Sequence, residues 1–411
     1  MPFLNFIYYF RVVLSFLGEI IREFWWLLFF IGLWKVFISL NRRYKEKKKK
    51  EKEEIKDWVI LEAKINREIL QTPKAIEQAF NGLHAIEKGY ISLELVGMNR
   101  EIHFIIRAPK EYKHLVESQF YAQYPEIEIK EQDDYFLSLP AHLPNKDFDL
   151  WGTEAILEKE NYYPIKTYSY FEELKEEKRI DPISSFAESI ANLQKSEWFI
   201  LEILIKPLSE KEEKEFISEG ENKINEMLGK KEKKITWQDW IGAFFRNLLL
   251  GVFEAPVWPT KEEKEAGSAP LLSSGKKDII KSIEGKITQL SFNIGMRMVY
   301  IAPRAVFNEV NMSGFTAFLN QFNLKNLNGF KINKDASTVL KTRFFQSRRL
   351  FFKKMDFYKS VLKRKEAQNN MILSTEELAT IYHFPALKVK TPPLTRVLSK
   401  KGVPPASLPT G

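Results

Sequence analysis

The opening of this chain constrains it most. Residues 24–40 read FWWLLFFIGLWKVFISL, an apolar run interrupted by one charge, Lys35. At about 1.5 Å of rise per residue, a helix of that length comes close to crossing a hydrocarbon core of ~30 Å. Lys35 can lay its methylenes along the helix and lift its ammonium to the nearer interface. Trp25, Trp26 and Trp34 suit headgroup depth. Directly behind, residues 41–52 read NRRYKEKKKKEK, and Arg42, Arg43, Lys45, Lys47 and Lys48 fit contact with anionic lipid. Positive charge beside a span stays on the cytoplasmic side. The expectation is a single-pass protein of the cytoplasmic membrane with its bulk in the cytoplasm. Residues 3–21 are also apolar but carry Arg11 and Glu19. They fit an interfacial helix, a continuation of one long helix, or a first span; the interfacial reading is preferred because two charges are costly at the membrane centre. No small-x-small site follows the apolar run, which argues against a cleaved signal peptide.

Behind the polybasic neck at 41–57, the pattern becomes that of an α+β body. Residues 58–65 alternate like a strand, and 73–88 place Ala75, Ile76, Ala79, Phe80 and Leu83 at helical spacing. Residues 91–98 and 101–108 read as a hairpin turning at Asn99-Arg100, a helix runs from Pro109 to about Tyr124, and 126–130 closes the unit. The order β-α-β-β-α-β over 58–135 is the ferredoxin-like pattern. A second copy is expected over 136–335. Its parts are a strand at 163–171, a helix from Asp181-Pro182 to about Gln194, a strand at 197–205, a strand at 288–301, a helix at 303–322, and a strand at 329–332. A long helical insertion, 210–275, interrupts it. Residues 104–109 (FIIRAP) and 299–303 (VYIAP) lead alike into the next helix.

Within the insertion, residues 235–258 are strongly apolar. Trp237, Trp240, Phe244, Phe245 and Leu248 mark a helix that either lies on a membrane or partner surface or packs on the protein's own core. Residues 336–385 form a basic, aromatic helical segment, and 386–411 a proline-containing tail.

The chain has no cysteine, which excludes disulfides, thiolate metal sites and cysteine nucleophiles. No G-x-x-x-x-G-K-[ST] string occurs: Gly229 and Gly275 are each followed by two lysines but lack the upstream glycine and the hydroxyl. His84, His103, His114, His142 and His383 show no ligand spacing, and the carboxylates fall in solvated Lys/Glu runs. The expectation is a protein that is not an enzyme and needs no cofactor. The strongest remaining signal lies at 341–365, with ten Lys/Arg against one Asp. There Arg343, Arg348, Arg349, Lys353 and Lys354 can neutralise phosphates while Phe344, Phe345, Phe351 and Phe352 stack on bases. The same four rings can instead form the packed face of a structural helix, or meet anionic lipid.

Residues 58–67 (WVILEAKINR), 72–78 (TPKAIEQ), 82–84 (GLH), 102–109 (IHFIIRAP), 115–119 (LVESQ), 121–125 (YAQYP) and 373–385 (LSTEELATIYHFP) together resemble an uncharacterised domain of candidate-phyla bacteria. That domain is associated with the P-loop ATPases of type IV secretion and conjugation. The resemblance implies a docking role beside such a motor, and ATP binding is not carried over. The expected function is therefore a membrane-anchored, non-catalytic scaffold of a translocation machine, with lipid and a P-loop ATPase as partners. The alternative is a tethered DNA-binding subunit that uses 341–365.

Overall fold

A computed structural model describes residues 30, 32–35, 37–39, 57–64, 72–171, 181–229, 246–247, 272–339, 345–367 and 370–385. The chain divides into two compact units, Met1–Lys56 and Asp57–Gly411. In the first, all the described residues are helical and solvent-exposed. Among the described residues, no helix is long and apolar enough to cross a membrane. Trp25, Trp26 and the basic residues of the neck, Arg42, Arg43, Lys45, Lys47 and Lys48 among them, lie outside them, as do Trp237, Trp240, Phe244, Phe245 and Leu248, Arg343, and the proline-containing tail.

The second unit is mixed α+β and built on one nine-stranded, wholly antiparallel sheet. Its first half runs β1 (Trp58–Lys64), α1 (Pro73–Leu83), β2 (Ile91–Met98), β3 (Glu101–Pro109), α2 (Lys113–Gln123) and β4 (Glu128–Glu131). The strands lie in the order β4-β1-β3-β2. Met98 pairs with Glu101, so the hairpin closes through Asn99 and Arg100. Both turn residues have positive φ, 54° and 66°, the two-residue geometry that matches strand twist.

The second half runs β5 (Phe148–Leu157), α3 (Ile183–Ala191), β6 (Trp198–Pro207), α4 (Glu210–Met227), α5 (Ser274–Ile287), β7 (Ser291–Pro303), α6 (Ser313–Asn320) and β8 (Phe330–Ile332). Its strands lie as β6-β7-β5-β8, the same order as the first half when read from the outer edge. The halves join where β2 pairs with β6 from Ile91↔Ile205 to Met98↔Trp198. One sheet thus crosses the expected boundary at residue 135. The chain then adds α7 (Gln346–Leu362), β9 (Met371–Ser374), which pairs with β7, and α8 (Thr375–Ile381).

Two expectations need correction. The first strand of the second half is β5, not 163–171. Among the described residues, the latter stretch pairs with no strand: Ile165 N–H donates to Glu377 Oε1 at 2.8 Å and Tyr168 N–H to Thr380 Oγ1 at 2.8 Å, while Lys166 N–H donates to the Phe322 carbonyl at 2.9 Å. Pro303 does not open a helix, and Pro109 stands just outside one. Each ends a strand, facing Trp58 and Phe148; a 3-10 turn at Lys110–Tyr112, capped by Pro109, leads directly into α2, whereas after Pro303 the chain turns helical only at Glu309–Met312, ahead of α6.

Period-two alternation gives the sheet two unlike faces. On one, Leu93, Leu95, Phe104, Leu201, Ile203, Met296 and Met298 join the buried side chains of α1, α2, α3, α6 and α8 in the main core. Phe384, just past α8, sits edge-on to Phe104, Phe120 and Tyr124 with ring centroids 4.9–6.2 Å apart. The C-terminal segment therefore closes the first half's core while β9 extends the second half's sheet. A separate small core holds α4 to α5 through Phe216, Ile224, Ile280 and Ile283, and α4 opens on a Ser209/Glu212 capping box.

Candidate functional site

The opposite face of the sheet carries ionisable groups in a register that follows from strand pairing. Glu154 of β5 faces Arg297 of β7, Arg297 faces Glu202 of β6, and Glu202 faces Glu94 of β2. All four are buried. A row of charges in so dry a place requires partners. Arg297 Nε donates to Glu202 Oε2 at 2.5 Å. Burial drives the Glu202 carboxyl above its ordinary pKa, with Arg297 opposing. Among the described residues, Glu202 Oε1 and Arg297 Nη2 have no hydrogen-bond partner.

The partner of Glu94 comes from far along the chain. The segment 134–143 and α7 lie over this face, forming a second core in which Tyr135, Phe136, Leu139, Leu143, Tyr358 and Val361 meet Val96, Ile105, Ile200 and Val299. Two glycines make room for this cover. A Cβ on Gly152 would meet Phe357 Cε1 at 2.0 Å, and one on Gly295 would meet Ala367 Cβ at 2.6 Å. Just past α7, Arg364 turns with φ 45° and buries its side chain. Its Nε donates to Glu94 Oε1 at 2.6 Å, and Nη1 to Asp134 Oδ2 at 2.7 Å. Nη2 donates to Glu94 Oε2 at 3.3 Å and Asp134 Oδ1 at 3.0 Å. Its guanidinium carbon stands 4.6 Å over the Phe136 ring.

Glu94 also accepts from Ser92 Oγ at 2.6 Å and Tyr135 OH at 2.7 Å, while Tyr90 OH donates to the Arg364 carbonyl at 2.7 Å. Burial works against the Arg364 charge, but Glu94 and Asp134 more than offset it and raise its pKa. Burial also pushes the Asp134 carboxyl upward, and hydrogen bonding to Arg364 overcomes this to leave it below its ordinary value. The cluster is a lock between sheet and cover.

Other titratable groups are engaged in the same structural way. Lys286 and Glu377 form a fully buried pair at 3.0 Å. His103 bonds Glu62 at 2.6 Å, and His383 bonds Asp181 at 3.0 Å. Among the described residues, no three His, Asp or Glu side chains gather as a metal site.

The exposed part of α7 is where the sequence-predicted basic residues are found. Its C-terminal half packs through Phe357, Tyr358 and Val361. Phe351 lies seven residues before Tyr358, on the same helical stripe, yet Phe351 and Phe352 are each 45% exposed and Phe345 is 80% exposed. Of the alternatives open for these rings, a packed face holds for neither Phe351 nor Phe352: the stripe is covered only where the sheet lies beneath it. Arg348 and Arg349 are exposed and Lys353 half-buried on this overhang. Lys354 is turned inward, 2.7 Å from Asp149 Oδ1, so the structure separates it from the other three. Of the N-terminal group, Trp34 and Lys35 are exposed on the described helical residues. Sequence reasoning missed the lock altogether, since Arg364 looked like one more cation in a basic run.

A nine-stranded antiparallel α+β body with one face sealed by an ion-locked cover defines the class. The chain belongs to the family described as a domain of unknown function (DUF8128), whose profile matches residues 40–396. No curated protein matches the chain.

Proposed function

We propose that the protein is a membrane-tethered, non-catalytic docking scaffold, single-pass in the bacterial cytoplasmic membrane, with its body on the cytoplasmic side. The observation that carries this reading is the described part of the N-terminal helix. Phe30, Trp34 and Phe37 are each more than 60% exposed, and Leu33 and Ile38 about half exposed. Large apolar side chains around a helix need a cover, and a bilayer supplies one. The polybasic neck behind them supports the orientation.

The body is read as two ferredoxin-like units fused edge to edge. The repeated element order, the matching strand orders and the antiparallel pairing throughout support that reading. Buried ion pairs that hold the body's parts together suit a rigid adaptor. The resemblance to domains beside type IV secretion and conjugation ATPases supports a P-loop motor as the partner, with ATP bound by that motor. Purification of the tagged full chain from detergent-solubilised native membranes tests the proposal. Stoichiometric recovery of a P-loop ATPase is expected, and a chain recovered alone under conditions that preserve membrane complexes contradicts it.

A further inference from the structure

We propose that the overhanging half of α7 is a second membrane contact, distinct from the N-terminal segment, which docks on a bilayer surface rich in anionic lipid. Six residues carry it: Phe345, Arg348, Arg349, Phe351, Phe352 and Lys353. Phe351 and Phe352 are exposed on the first half of α7 and Phe345 directly precedes it; Phe351 continues the stripe that Tyr358 buries against the sheet. Among the described residues, no carboxylate lies at ion-pair distance from Arg348, Arg349 or Lys353. Rings at the depth of the acyl boundary with cations beside them at the phosphates is the arrangement of an interfacial helix.

The same residues suit nucleic acid less well. Bases stack on open, flat ring faces, whereas Phe351 and Phe352 stand edge to face at 80° with centroids 5.7 Å apart. One face of Phe352 also lies under the Arg348 guanidinium at 5.9 Å. Single strands are also read on open sheet faces, and here that face is filled by Tyr135, Tyr358, Val361 and Arg364. A bilayer asks only for exposed apolar area and flanking positive charge, and α7 offers both.

The absence of cysteine permits a site-specific test on the full chain. Phe352→Cys and, as a reference on an exposed site elsewhere, Val310→Cys (70% exposed in the parent) are each labelled with an environment-sensitive fluorophore. The probes are vesicles of phosphatidylcholine alone and vesicles with about a third phosphatidylglycerol. Flotation with the neutral vesicles reads the N-terminal tether separately, so the two membrane readings fail independently.

The expected result is a blue shift and quenching by bilayer-embedded quencher at position 352 only, with anionic vesicles only, reversed by high salt. Arg348→Gln with Arg349→Gln should weaken the anionic-vesicle response about 25-fold, each near-surface cation counting for roughly a factor of five. The proposal is overturned if the 352 label stays water-exposed, if neutral and anionic vesicles act alike, or if duplex or single-stranded DNA produces the shift and vesicles do not.

Discussion

Replacing Arg364 with Met keeps most of the side-chain length and removes four hydrogen bonds to two carboxylates. Asp134 is 29% exposed at its side chain and can turn to water; Glu94 is 0% exposed and cannot. Glu94 would retain only the Ser92 and Tyr135 hydroxyls as donors to its carboxylate. Breaking a buried pair from one side leaves an uncompensated charge and costs about 3–5 kcal/mol, a large fraction of a domain's net stability of roughly 5–15 kcal/mol. Denaturant titration of R364M against the parent should show a loss in that range. Hydrogen exchange should show the largest loss of protection in 134–143 and α7. The double variant R364M with Glu94→Gln should recover more than half of the loss, because the stranded charge is gone. A loss below about 1 kcal/mol, or strict additivity of the two substitutions, would refute the idea of a lock.

Gly152→Val should push α7 off the sheet, because its Cβ meets the Phe357 ring; a loss of about 1–3 kcal/mol is expected, and Phe357→Ala in the same chain should relieve it in a thermal melt. Phe384→Ala removes a ring edge-on to three others and should cost about 3–5 kcal/mol by denaturant titration. Asp134 has a folded pKa depressed below 3.8, so its contribution to stability is complete above that pH and is lost as pH falls through the lower folded value. Asp134→Asn should therefore flatten the acid limb of a melting temperature–pH curve below about pH 4, while the parent curve falls there.

The first half of the sheet was legible almost strand by strand. Its strands alternate or carry β-branched runs, and Asn99-Arg100 marks the turn that joins β2 to β3 directly. The second half was less so, because β5 reads FDLWGTEAIL, with a glycine and a buried Glu where apolar residues are expected. The aromatic stretch at 162–171 has stronger strand propensity, yet it serves as a loop tied to α8 by side chains. Local propensity yields there to contacts more than 200 residues away.

The helical character of α7 was visible in its spacing. Which part of its stripe is buried was not, because that depends on where the sheet ends beneath it. The lock was hidden for the same reason: Glu94, Asp134 and Arg364 are brought together only by the fold. A signal did exist in the glycines of β5 and β7, Gly152 and Gly295, which mark a close approach of another part of the chain to the covered sheet face.

The most direct test of the scaffold account is where the full chain stays when native membranes are washed with alkaline carbonate and then probed with protease from the cytoplasmic side. The chain is expected to remain in the pellet, with its body cut from that side alone. Release of the intact chain into the supernatant, or cleavage of the body from the outer side of sealed cells, would contradict it.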